Sequence, residues 1–231
     1  MEKSQDRARS EESPLCPCKG WTTLNIDRMS EKDQRSWENF LNPAVLRPNL
    51  IVASIYIAAF QLLKNAIVDR LRFFYTFGFD ENATPTGRKY QSEVLARNRS
   101  PVYASLDWLK ESQAIDSDDL AAFEKVKKLR NDLAHELTQM LRNGLPSDLP
   151  ERFNEMVSLL DKIERWWIVN VEIPTNPEFD DKKLDAEKVI PGPLLGLRLL
   201  VDVALGSEEE SRKYVDEFRR RANQLGSENP S

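Results

Sequence analysis

The chain has 231 residues, 40% of them hydrophobic, which suits one domain with extensions or two small domains. Its 33 basic and 38 acidic residues give a net charge of −5, which excludes a generally basic protein that coats nucleic acid. Any contact with RNA must come from a local basic patch and would be sensitive to salt. The 8 glycines, set against long apolar periodic runs, point to an all-α chain.

Residues 1 to 20 are polar and mixed in charge, and read as a mobile tail without the apolar core of a secretory leader. Cys16 and Cys18 form Cys-Pro-Cys, a poor spacing for a disulfide. With a single distant histidine they make no convincing zinc set, so neither metal nor cofactor is expected. Free thiols and no leader point to the cytoplasm. Residues 21–47 hold a short helical extension. Ser30 with Asp33 resembles a capping box, and Trp37, Phe40 and Leu41 give it an apolar face.

A long helix is expected from Pro48 to Phe77. The segment Leu50–Leu63 is almost wholly apolar, but its 14 residues fall short of the ~20 a membrane span requires. No membrane contact is expected, and the helix reads as surrounded by protein, at the bundle centre or at a subunit interface. A loop follows from Gly78 to Gly87, in which Asp80 and Glu81 read as solvated. Two helices broken before Pro101 occupy Arg88 to Lys110. Arg88, Lys89, Arg97 and Arg99 are the densest basic group outside the helix that follows, with Tyr90 and Tyr103 nearby. Arg88 and Lys89 are therefore candidates for tracking an RNA backbone, the plainer reading being a solvated helix face.

The stretch from Ser117 to Gly144 reads as one amphipathic helix. Asp116, Ser117 and Asp118 offer capping oxygens, and Gly144 and Pro146 stop it. Phe123, Val126, Leu133, Leu137, Met140 and Leu141 form the apolar side. Opposite runs a polar stripe of Lys128, Asn131, His135, Thr138 and Arg142. His135 is the only histidine in the chain. Arg130 falls in the apolar sector, about 140° from His135 on an ideal helix. It must bend out, pair inside the bundle, or reach a second subunit, because a buried unpaired guanidinium is costly.

Asp148 and Pro150 open the next helix, with Met156, Leu159, Leu160, Ile163, Trp166, Trp167 and Val171 at apolar spacing and Pro174 at its end. The tryptophan pair reads as packing. A charged linker covers residues 174–190, and Pro191-Gly192-Pro193 is a hard break. Leu194–Leu205 reads as a short apolar helix, and Ser207 with Glu210 caps a last charged one that ends near Asn223. This C-terminal hairpin covers the bundle or supports a dimer. There is no Walker A loop, dinucleotide glycine fingerprint, HExxH or GxSxG.

Cleaving RNA requires a base for the 2′-hydroxyl, an acid for the leaving oxygen and a cation for the phosphate charge. Histidine suits proton transfer near neutral pH, and the forked arginine matches phosphate oxygens. With one histidine per chain, two-histidine chemistry needs a two-fold dimer. Arg130, Asn131 and His135 are the candidate catalytic residues, with Lys128 and Arg142 helping to hold the backbone.

Arg130-Asn131-Asp132-Leu133-Ala134-His135 resembles the R-x4-6-H motif of the HEPN superfamily, in which the residue after the arginine is commonly Asn, Asp or His. The resemblance covers residues 48–173. It implies an antiparallel four-helix, up-and-down bundle with helical extensions at both ends. It also implies metal-independent endoribonuclease activity at a homodimer interface, in toxin or antiviral-defence systems where an antitoxin or partner protein is possible. One toxin subgroup carries a tyrosine two residues after the histidine. Leu137 stands there, which argues against regulation by modifying that tyrosine. The alternative is a non-catalytic helical module that binds a partner protein or a nucleotide.

Overall fold

The computed structural model describes residues 29–77, 88–179 and 188–228. The expectations for the N-terminal tail, for Cys16 and Cys18, for the loop with Asp80 and Glu81 and for residues 180–187 of the charged linker lie outside the described residues. Among the described residues every regular element is helical: α1 (Glu31–Leu41), α2 (Pro43–Phe77), α3 (Pro101–Glu111), α4 (Ser117–Asn143), α5 (Leu149–Trp167), α6 (Ile173–Thr175), α7 (Gly192–Leu205) and α8 (Glu208–Glu228). A π-helical turn (Tyr90–Val94) and a 3-10 turn (Leu95–Arg97) precede α3, and a second π-helical turn (Ile168–Glu172) extends α5.

The α2 helix begins at Pro43, not at Pro48 as expected, so Pro48 lies inside it. Asn42 explains the shift. It ends α1 in an extended conformation, and its side-chain oxygen accepts from the Ala44 N–H at 3.0 Å, capping the new helix one residue later. The short extension and the long helix are thus separated by a single residue. By length and composition α2 could also cross a bilayer. Here Tyr56, Leu63, Ile67 and Leu71 are fully buried in one core with residues of α3, α4 and α5.

Side-chain pairs set the relative directions. Tyr56 meets Phe153, Arg70 meets Glu164 and Phe74 meets Trp167, so α2 and α5 run the same way. Tyr56 donates to the Val126 carbonyl and Phe60 stacks on Phe123, so α4 runs against α2. The expected strict up-and-down alternation would place α2 parallel to α4 and opposed to α5. α3 also runs with α2, since Tyr103 meets Phe123 beside Phe60 and Trp108 meets Tyr75. Trp108 of α3 stacks parallel on Trp167 and edge-on against Trp166, so the tryptophan pair serves packing as expected.

The α4 helix is well started. Asp116 accepts from the N–H groups of Asp118 and Asp119, and Asp119 accepts from the Asp116 N–H, a reciprocal capping box. Lys162 of α5 donates to both carboxylates. Gly144, at φ +100°, ends the helix in a region open to glycine. At the other end of the chain Ser207 and Glu210 cap α8 reciprocally, as expected. The α7–α8 hairpin leaves Leu195, Leu199, Val203 and Phe218 exposed.

Phe123 is 1% exposed and Phe218 73%. Phe123→Ala is expected to lower unfolding free energy by about 3–5 kcal/mol in urea titrations, whereas Phe218→Ser stays within about 0.5 kcal/mol. Comparable losses at both positions would show that the core is misassigned. The hydrogen bond from Lys162, then those from the backbone, lower the Asp116 pKa to about 2 from 3.8. A depressed carboxylate stabilises above its unfolded pKa and loses that contribution as pH falls through the folded value. The melting temperature is therefore expected to fall between about pH 4 and pH 2, and less steeply in Asp116→Asn. Parallel profiles for the two proteins would refute this.

Candidate functional site

Three aromatic rings and one lysine build the surroundings of Arg130. Phe60 of α2 stacks on Phe123 of α4 with ring centroids 6.1 Å apart, and Tyr103 of α3 meets Phe123 edge-on at 6.3 Å. Above these rings sit two cations from one turn of α4. The Arg130 guanidinium carbon lies 5.6 Å from the Phe60 centroid, and Lys127 Nζ lies 4.6 Å from the Tyr103 centroid. Lys127 also donates to the Tyr103 hydroxyl at 2.5 Å, which raises its pKa above the usual lysine value. The Tyr56 bond to the Val126 carbonyl anchors this same turn to α2.

These groups line a pocket of about 200 Å³ that also takes in Gln61, Lys64, Ser100 and Asn131. Lys64, Lys127 and Arg130 are its charged residues, and it contains no carboxylate. Arg130 Nη1 donates to Asn131 Oδ1 at 3.2 Å, while its Nε is buried without a hydrogen-bond partner. The problem posed by an arginine in the apolar sector is therefore solved by a half-buried guanidinium laid across a ring and held by a neighbouring amide. No acid neutralises it among the described residues. Such a pocket presents fixed positive charge and forked donors, an arrangement that suits a phosphate or another compact anion.

His135 is exposed and does not line this pocket. Within one chain, Arg130 and Asn131 are brought together and His135 is not. Asn131 bonds Arg130 and, among the described residues, makes no hydrogen bond to His135. Directly after His135, Glu136 departs from helical dihedrals (φ −117°, ψ 15°), which breaks the expected single continuous helix. Lys128 is exposed on the same stripe as Asn131 and His135.

The other expected RNA contacts are dispersed. Arg142 lies about 18 Å along the helix from Arg130 at 1.5 Å per residue. Its guanidinium covers the Trp37 ring at 4.4 Å, and its carbonyl accepts from Asn39, so it docks α1. Arg88 and Lys89 are exposed, but Tyr90 beside them is buried against Tyr75, about 20 Å along α2 from Phe60. Arg97 pairs with Glu111. Among the described residues no group of three His, Cys, Asp or Glu side chains is placed to hold a metal ion.

Sequence reasoning missed Lys127, Lys64 and Phe60 as site residues. Lys127 stands three positions before Arg130 and so shares its side of the helix, a signal available in the sequence. Phe60 and Lys64 lie on another helix, and nothing local marks them. No family model, no curated protein and no solved structure matches this chain.

Proposed function

We propose that this protein is a metal-independent endoribonuclease of the HEPN type, acting as a homodimer in the cytoplasm in toxin or antiviral defence. On this reading α2, α3, α4 and α5 form the HEPN-like four-helix unit, with α1 and the α7–α8 hairpin as extensions. The observation that carries it is the acid-free pocket around Lys64 of α2 and around Lys127 and Arg130, which share α4 with an exposed histidine. A phosphodiester enters that pocket and Arg130 offsets the charge that develops on its oxygens. His135 takes the proton of the 2′-hydroxyl, whose oxygen attacks phosphorus. The 5′-oxygen leaves with a proton from the histidine of the second copy. The products are a 2′,3′-cyclic phosphate and a 5′-hydroxyl, so no metal enters the balance. A two-fold axis beside the exposed stripe is required, because one chain holds one histidine and turns it away from Arg130. Exposed Lys128 extends the contact along the backbone, and Arg88 and Lys89 reach only a longer strand. An antitoxin or partner protein that covers this stripe would silence the enzyme.

A second reading rests on the divergence of Arg130 and His135 within one chain. The same pocket then binds a phosphate of RNA or of a nucleotide without cleaving it, and the protein is an interaction module.

Cleavage of a mixed RNA pool in EDTA separates the two readings. The wild type is expected to release cyclic-phosphate ends, and His135→Ala and Arg130→Ala, at matched dimer content, to lose about 10²-fold or more of the rate. Equal background in all three, with RNA binding weakened only in Arg130→Ala, would establish the binding module. Lys127→Ala is expected to weaken RNA binding across sequences and reduce the salt slope by about 1, measured by fluorescence anisotropy at several salt concentrations. An unchanged slope would remove Lys127 from the phosphate contact.

A further inference from the structure

A second cavity, of about 700 Å³, opens between α2, α5 and the start of α7. Its size falls in the range of small-molecule sites. Phe73, Phe74 and Trp167 supply aromatic walls, and Leu62 and Val171 add apolar surface. Phe73 is 65% exposed at this site.

The charges in the cavity decide what it can hold. Asp69, Glu164 and Glu172 face one cation, Arg70. Arg70 Nε donates to Glu164 Oε1 at 3.2 Å, Nη2 bonds the other Glu164 oxygen, and Nη1 bonds Glu172. All three guanidinium nitrogens are thus committed to carboxylates, so Arg70 is not a clamp for an anion. Glu164 is 1% exposed and is consumed by that pairing. Asp69 is exposed and makes no hydrogen bond or ion pair among the described residues, and the Glu172 side chain is 49% exposed. Asp69 and the second oxygen of Glu172 therefore stand open in the cavity, with carboxylates in excess over cations. An anion is repelled here, and a neutral apolar molecule leaves both carboxylates unused. A positive charge gains from the carboxylates and from the ring quadrupoles together.

We infer that the cavity between α2, α5 and α7 binds a small organic cation, an ammonium or quaternary nitrogen carried on an aromatic or apolar body. The charged head lies toward Asp69 and Glu172, and the body lies against Phe73 and Phe74, over the buried Trp167. This site shares no residue with the Arg130 pocket and does not rest on the ribonuclease reading.

The test uses the full chain labelled with ¹⁵N, following the Trp167 indole resonance assigned with Trp167→Phe. Benzyltrimethylammonium, benzyl alcohol and benzoate are titrated separately. The cation is expected to shift the resonance saturably in the millimolar range or below, at least about fivefold more tightly than either comparator. Asp69→Asn and Glu172→Gln, both at exposed positions, are each expected to weaken it by about threefold or more, with circular dichroism unchanged. Equal binding of benzyl alcohol or benzoate would overturn the inference. So would no saturable shift up to about 10 mM, or cation binding indifferent to both substitutions.

Discussion

The structure depends on covering a single helix. The 35 residues of α2 carry more apolar surface than one neighbour can bury, and its sides are taken up by α3, α4, α5 and α7 in turn. Tyr56, Leu63, Ile67 and Leu71 run along this axis fully buried, and the other helices are placed by their contacts with it. The hydrophobic effect brings these helices together, but it has no direction of its own. Direction and register come from polar exceptions: the Tyr56 hydroxyl on the Val126 carbonyl, Arg70 on Glu164, and Lys162 on the α4 capping box.

Two of those exceptions lie beside two contrasting sites. At the Val126 level the aromatic stack of Phe60, Phe123 and Tyr103 supports two cations in a pocket that no carboxylate lines. Further along α2 the Arg70 level gathers three carboxylates around one guanidinium. Burial pushes the Glu164 carboxyl above its ordinary value, and the Arg70 charge works against that shift. The net charge of −5 conceals this separation, because it sums two surfaces of opposite local sign.

Much of the local structure was legible along the chain. Helical spacing marked Phe123, Val126, Leu133 and Leu141, and all are buried. Ser207 with Glu210 announced the start of α8. The misplaced start of α2 is also local in origin, since Pro48 is a conspicuous signal and the Asn42 cap a quiet one. The tryptophan pair was read correctly as packing because its helix is apolar at every neighbouring turn. Of the site, Arg130, Asn131 and His135 could be named, and the angle between Arg130 and His135 could be computed from the pitch alone.

What the sequence determined is whatever depends on neighbours within about four residues: helix content, caps, the apolar faces, and the conflict created by an arginine on the buried side of α4. Tertiary structure decided how that conflict is resolved. Phe60 arrives from 70 residues upstream to support the guanidinium, and Trp37 arrives to occupy Arg142 instead of leaving it for a ligand. It also decided that α4 opposes α2 and α5, and that Asp69, Glu164 and Glu172 share one cavity. These are contacts between distant segments, chosen by the packing of whole helix surfaces, and no short window of sequence contains both partners.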